Sequence, residues 1–444
     1  MRRAESPCSS FAVITSRSGS QALAGPGAGP NGGGIYIDGF SGGSIPPRDT
    51  IREIRINSNP FSSQFDRLGY GRIEILTKPG TDRFRGSVEF EFEDESLNSR
   101  NPFVDNRPAF QKRELEARLS GPIIKNRASY FINIETEASD SNSFINALVL
   151  NQNLNPLEIR ESAPSPASDF EFNPRVDFKL NENNTLVVRY GYERDTEDSA
   201  GLGGFNLLSR GYNTSDTEQT VRVTETAILN PQTVNETRFQ YIRRRNNEEG
   251  LNSAPTIRVL DAFTGGGANI GSAFSNDDRY EFDNSTSFLI GGHALKAGGT
   301  LRYSKTSDSS PNNFAGTFTF ISLEQYRDAI QGNALPAQFA IAGGNPVAGV
   351  SQTDIGAYVQ DDWRVSNNFT LSFGLRYENQ TNISSNADIA PRFGFAYAPF
   401  AGDGTPKTVI RGGYGIFYDR YNSNLTLRER RFNGVNQPSV SETA

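Results

Sequence analysis

Apolar and polar residues alternate with a period of two along most of this chain, in segments of about 10–12 residues, the length a tilted strand needs to cross a bilayer. Val88, Phe90 and Phe92 share one face of such a segment, and Glu89, Glu91 and Glu93 share the other. Phe172, Pro174, Val176, Phe178 and Leu180 alternate with Glu171, Asn173, Arg175, Asp177 and Lys179. Leu371, Phe373, Leu375 and Tyr377 alternate with Ser372, Gly374, Arg376 and Glu378. Successive side chains on a strand point to opposite faces, so each segment has one greasy side and one wet side.

Segments of this kind fall at 84–95, 112–121, 127–138, 169–180, 185–195, 218–229, 233–245, 279–290, 293–305, 352–364, 369–380, 390–399 and 408–419, about thirteen strands. Their connections alternate in length. Short turns rich in Asn, Gly or Pro occur at Gly121–Asn126, Asn181–Asn184, Asn230–Gln232, Gly291–Gly292, Val365–Asn368 and Phe400–Lys407. Long polar stretches separate these pairs, at Ala138–Asp169, Thr196–Thr217, Asn246–Asp278 and Thr306–Ser351, and read as unstructured loops. All short turns therefore lie at one end of the strand array and all long loops at the other, the asymmetry of bacterial outer-membrane barrels. A soluble β-sandwich or propeller also has many alternating strands, but its connections are usually short.

Composition narrows the function classes. Apolar residues make up only 35% of the 444 residues while aromatics reach 11%, which suits amphipathic strands with aromatic outer faces. No window approaches the ~18–20 unbroken apolar residues of a transmembrane helix. The single cysteine, Cys8, and single histidine, His293, supply no disulfide framework, zinc site or Cys/His pair. The net charge, 44 − 51 = −7, argues against nucleic acid as a partner. Near the N-terminus only Phe11–Ile14 is apolar, short of the ~7–15 residues of a signal-peptide core, so an exported protein would need a longer N-terminus.

The segment Ile51–Gly80, IREIRINSNPFSSQFDRLGYGRIEILTKPG, resembles the closing part of the plug domain of TonB-dependent receptors, particularly their large Oar-like subfamily. Ile51, Ile54 and Ile56 occupy its first strand, Asn59 and Pro60 its tight turn, and Gly71–Lys78 the strand ending in Thr-Lys. The preceding Ile35–Phe40, IYIDGF, is similar to a plug strand ending in Asp-Gly. Ile355–Glu378, Ala390–Phe400 and Thr408–Arg420 look like barrel hairpins of the same subfamily.

That resemblance implies an all-β chain: a partial antiparallel transmembrane outer-membrane β-barrel of about 13 strands, against about 22 in complete barrels of the class, preceded by a plug remnant. Its parts would be a disordered Gly-rich segment 1–34, the end of a plug at 35–82, and a partial barrel at 83–444, a fragment truncated at both ends. It implies no enzymatic activity and no cofactor, a place in the outer membrane, and energy-coupled uptake of a ligand such as a siderophore, oligosaccharide or peptide. Partners would be a TonB-type energy-transducing protein in the periplasm, outer-membrane lipid and that ligand. A structural or adhesive surface barrel without active transport is the alternative.

Individual residues give weaker signals. Asp277–Asp278 and Asp361–Asp362 are tandem carboxylates that must face opposite ways on a strand, and read as polar strand ends. Arg243–Arg245 could meet anionic lipopolysaccharide or substrate but reads as a solvated rim closing a strand. Gly32–Gly34 and Gly265–Gly267 read as loop glycines, His293 as an interfacial aromatic after a turn, and Asn235–Thr237 as a chance Asn-x-Thr string. Arg189, Glu193, Arg376 and Glu378 belong to the wet face, with nothing in the sequence to choose among them for ligand contact. No catalytic, cofactor-binding or metal-binding residue is assigned.

Overall fold

The computed structural model describes residues 34–56, 61–66, 72–99, 107–399 and 408–443. The Gly-rich segment up to Gly33, Cys8, the Asn59–Pro60 turn, Gly71 and the whole Phe400–Lys407 turn lie outside the described residues.

A small first unit holds β1 (Ile35–Ile37), β2 (Phe40–Ser41), β3 (Ile51–Ile56) and β4 (Ile73–Thr77), in the order β2-β1-β4-β3 with β1 parallel to β4. Ile37, Phe40 and Ile75 form its buried centre. Asp38 sits at φ 49 and is followed by Gly39 at φ 86, a reversal that Asp and Gly tolerate. The Asp38 carboxylate accepts from Thr77 N at 2.9 Å and Thr77 Oγ1 at 2.7 Å, tying the ends of β1 and β4 together.

The second unit is built on β5 (Arg85–Asp94), β6 (Gln111–Ile124), β7 (Ala128–Leu150), β8 (Pro156–Lys179), β9 (Asn184–Ala200), β10 (Tyr212–Asn230), β11 (Thr233–Gly250), β14 (Ser272–Ile290), β15 (His293–Ser309), β18 (Val347–Ser366), β19 (Phe369–Gln380), β20 (Asp388–Tyr397) and β21 (Ile410–Gly415). These thirteen strands pair antiparallel in chain order into one sheet with β5 and β21 at its edges. All thirteen expected strands are present, and each short turn inside the described residues lies where the Asn and Gly chemistry places it.

One face of this sheet is apolar and exposed: Ile355 is 44% exposed, Phe373 46% and Leu375 47%. Large apolar side chains exposed across a sheet face in this way suit contact with lipid. Between the two edge strands the backbone polar groups are paired within the ladder, as a bilayer core demands.

The long polar stretches are not unstructured loops. β7 and β8 continue through Ala138–Asp169 as one paired hairpin with a tip at 151–155. The other stretches contribute β12 (Thr256–Val259), β13 (Phe263–Gly266), β16 (Thr317–Phe320), α1 (Leu323–Ile330) and β17 (Gln338–Ala342). With β22 (Ser439–Thr443) the short strands form a five-stranded sheet in the order β13-β12-β16-β17-β22; α2 (Ser423–Arg431) precedes β22.

This sheet has a core of its own, in which Ile145, Ala147 and Ala163 of the β7–β8 hairpin meet Val259, Ala262, Phe263 and Phe320. The Tyr326 ring of α1 lies edge-on to Phe263 at 5.3 Å and to Phe320 at 5.1 Å. Ser322 Oγ caps α1 by accepting from Gln325 N at 3.1 Å. Burial of this apolar cluster orders the segments, where composition alone suggested only polarity.

Candidate functional site

The inner face of β15 and β18–β20 grips the short segment Phe61–Asp66. Ser62 Oγ and Ser63 N both donate to Gln360 Oε1, at 2.9 and 2.7 Å. Arg392 Nη1 donates to the carbonyls of Ser62 and Phe65, each at 2.6 Å, and its guanidinium stacks 4.1 Å from the Phe417 ring centre. Arg376, 1% exposed, donates through Nε to Glu378 Oε1 at 2.5 Å and through Nη1 to Ser63 O at 3.4 Å. Lys296 donates to Gln64 Oε1.

Glycines make room for this contact. A Cβ on Gly374 would stand 2.4 Å from Ser63 Oγ, and one on Gly413 would stand 2.5 Å from Phe61 Cδ2. A Cβ on Gly356 would meet Arg376 Nη2 at 2.4 Å, so the absent side chain gives the guanidinium its berth. Glycine inside a strand commonly marks a close approach, here by the side chains of Ser63, Phe61 and Arg376.

The segment ends on Asp66, whose carboxylate pairs with Arg302 and lies 3.5 Å from Arg420 Nε. Burial pushes its pKa up, but the charges of Arg302 and Arg420 and the Arg302 hydrogen bond outweigh that and hold it well below the usual value. Arg420 reaches Asp354 at 2.8 Å and Glu378 at 3.7 Å. From Arg302 the polar chain runs to Glu281 at 3.0 Å, to Gln240 at 3.3 Å and to Arg222 at 2.6 Å, across four adjacent strands of the inner face.

The inner face of β5–β10 is different. Glu89, Glu116, Glu135, Glu171, Glu193 and Glu218 are direct cross-strand neighbours in one row. Glu91, Glu114, Glu137, Asp169, Asp195 and Asp216 form the adjacent row. Cations stand towards the ends: Arg118 on Glu89 and Glu116, Lys112 on Glu114 and Glu137, and Arg244 on Asp216. Directly opposed like charges are unfavourable by a few tenths to ~1 kcal/mol per pair.

Of the residues singled out from sequence, Arg376 and Glu378 belong to the grip, whereas Arg189 and Glu193 line the acidic half. Gln360, Arg392, Arg302 and Asp66 were missed; the strand-interior glycines Gly356, Gly374 and Gly413 were the available signal of a close contact on these strands. Asp277–Asp278 and Asp361–Asp362 face opposite ways as expected, but they lie inside β14 and β18, not at polar strand ends. Arg243–Arg245 likewise lies within β11, which runs on to Gly250. His293 starts β15, accepts or donates through Nδ1 at 2.7 Å to Asp361 Oδ2, and stacks on Trp363 with ring centres 5.3 Å apart. Gly265 and Gly266 are in strand β13, and Asn235 donates to Thr286 Oγ1 at 2.8 Å on the face that also carries Ala297 and Tyr241.

Residues 144–388 and 383–444 match the family described as "Outer membrane beta barrel domain". The chain belongs to this family. It resides in the outer membrane, and the apolar face of the outer-membrane barrel is its lipid-facing wall.

A curated relative, the TonB-dependent transporter Oar of Myxococcus xanthus, is 27% identical over 38% of this chain and 18% of its own length. Among solved structures, the outer membrane transporter YddB of Escherichia coli superposes with TM-score 0.62 at 14% identity, covering 93% of this chain and 56% of that one. The siderophore receptor PirA of Acinetobacter baumannii superposes with TM-score 0.56 at 13% identity, covering 89% and 54%. The chain thus spans about half the length of these solved proteins and less than a fifth of Oar. At these identities the structural likeness establishes the fold.

Proposed function

We propose that this barrel serves energy-coupled uptake of a ligand across the outer membrane, with 35–82 as the closing part of a plug and 83–444 as barrel. The observation that carries this reading is the grip on Phe61–Asp66. That segment is held to the inner wall almost wholly by hydrogen bonds and ion pairs, with Phe61 as its apolar anchor. Polar contacts can be exchanged for water at modest net cost, so such a segment can be drawn off the wall and returned. A pull from a TonB-type periplasmic protein would do this, with the inner-membrane proton gradient as its source of energy. The names of the relatives support the same class of activity.

Siderophores, oligosaccharides and peptides are the ligand classes to try. Radiolabelled members of each class, offered to cells with and without a protonophore, test the proposal. At least one is expected to accumulate in energised cells expressing the protein and not in de-energised ones. Surface-exposed protein with no energised accumulation of any class would favour the structural or adhesive alternative, for which the ordered five-stranded sheet beyond the barrel strands speaks.

A further inference from the structure

The two faces of the wall carry opposite charge at the same height. Where the inner face of β8–β10 shows its rows of carboxylates, the outer face of β9–β15 shows Arg194, Arg243, Arg245 and Lys305. The height of these cations relative to the bilayer can be read from aromatic residues. His293 and Trp363 stack at the short-turn end of β15. On the same strand and the same face, 303 − 293 = 10 residues further on, Tyr303 joins a cross-strand ladder with Tyr280 and Tyr241. The ring centres are 6.2 and 4.7 Å apart. Ten residues span ~33 Å along a strand, or ~25 Å of height once tilted, the spacing of the two aromatic girdles of a transmembrane barrel. Leu295, Ala297, Gly299 and Leu301 fill the interval on that face. The tyrosine ladder therefore marks the outer interface, at the end where the long connections lie.

One pleat beyond the ladder, Arg243, Asp278 and Lys305 are direct cross-strand neighbours. One pleat further, Arg194, Thr217 and Arg245 are neighbours in the same way. Asp278 is the carboxylate among these positions, and it already accepts from Tyr241 Oη at 2.8 Å and pairs with Arg245 at 2.8 Å. The pairing with Asp278 fixes the Arg245 guanidinium at the collar, and four cations against one anion leave it positive. On a lipid-facing surface just above the girdle, the complementary groups are the phosphates of lipid headgroups, which guanidinium binds in a bidentate way.

We propose that Arg194, Arg243, Arg245 and Lys305 form a docking surface for the phosphorylated disaccharide anchor of lipopolysaccharide in the outer leaflet. Arg243 and Lys305 lie two strand steps apart, roughly 10 Å, so one anchor molecule can present a phosphate to each. The collar ties the barrel to its leaflet and is independent of whether the barrel transports anything.

The test uses the full protein purified from outer membranes in detergent, with lipid binding followed by native mass spectrometry. Bis-phosphorylated lipid A is expected to stay bound, its dephosphorylated form is not, and inorganic phosphate at millimolar concentration is expected not to displace it. The R243E/K305E variant is expected to lose lipid A binding by about tenfold or more. Heat-modifiable migration checks that this variant is folded; if it is not, R243Q/K305Q replaces it, with a smaller loss expected. Equal binding by wild type and a folded variant would overturn the proposal, as would equal binding of the dephosphorylated lipid or displacement by free phosphate.

Discussion

The two halves of the inner wall handle charge in opposite ways. From β15 to β20 Lys296, Arg302, Asp354, Arg376, Glu378 and Arg392 each have a definite partner, and glycines let the Phe61–Asp66 segment lie directly against the strands. From β5 to β10 carboxylates face carboxylates across five consecutive strand pairs. The first half is built as a receptor for a particular piece of chain. The second keeps a negative potential over a broad surface, which only water or cationic groups can offset. Arg376 at 1% exposed needs fixed partners, because an unpaired buried charge is far costlier than a solvated one.

Mutations that sharpen this contrast can be ranked. Arg376→Ala removes a buried charge that holds Glu378 and the Ser63 carbonyl, and should destabilise the barrel by ~3–5 kcal/mol. Arg189→Ala, on the acidic half, should cost well under half as much; comparable losses would erase the distinction between the halves. Midpoints of urea unfolding in detergent, read by heat-modifiable migration, measure both. Next comes Gly374→Val, whose side chain must displace Ser63 and the Val359 carbonyl, at a cost of ~1–3 kcal/mol. Gly191→Ala on the acidic half meets the Asn173 side chain at 3.2 Å and Thr220 Cβ at 3.7 Å, and should be near neutral by the same assay.

Asp66 gives a pH signature. Its folded pKa is depressed, so its contribution is complete above the unfolded value near 3.8 and is lost as pH falls through the lower folded value. The stability difference between wild type and Asp66→Asn should therefore stay constant from pH 8 to pH 5, at ~1–2 kcal/mol, and shrink below about 4. A difference that fades already near neutrality would mean the arginines do not hold this carboxylate. The smallest effect is expected for Asp169→Asn, which relieves like-charge opposition to Asp195 and should stabilise by ~0.2–1 kcal/mol, more at low salt. Destabilisation there would show that the hydrogen bond between Asp169 and Asp195 outweighs their like-charge opposition.

Much of the fold was legible because lipid imposes a strict rule on one face. Wherever strands cross the bilayer, the period-two pattern in segments such as Leu371–Tyr377 fixes strand, face and turn positions together. Beyond the bilayer that rule lapses. The β7–β8 extension through Ser139–Ser143 is polar on both faces, and the residues that order it, Ile145, Ala147 and Ala163, are buried only by distant segments such as Phe263 and Phe320. Helix α1 is eight residues long inside a polar stretch, and its apolar contact, Tyr326, is meaningful only once β13 and β16 are in place. The grip was half legible: Arg376 and Glu378 were evident as wet-face residues, but their choice over Arg189 and Glu193 depends on a segment some 300 positions away in the chain, Ser63. Asp277–Asp278 looked like a strand end because sequence cannot tell a polar rim from a strand that continues above the membrane.

The account rests on one wall with lipid on one side and the gripped segment on the other. A nitroxide scan of Ala294–Arg302 in reconstituted bilayers tests it directly, by comparing collisions with oxygen, which concentrates in lipid, and with a water-soluble nickel chelate. Labels at 295, 297, 299 and 301 should be rich in oxygen contact and poor in nickel contact, with labels at 294, 296, 298, 300 and 302 showing far less oxygen contact. A scan without this two-residue period, or with the phases reversed, would contradict the account.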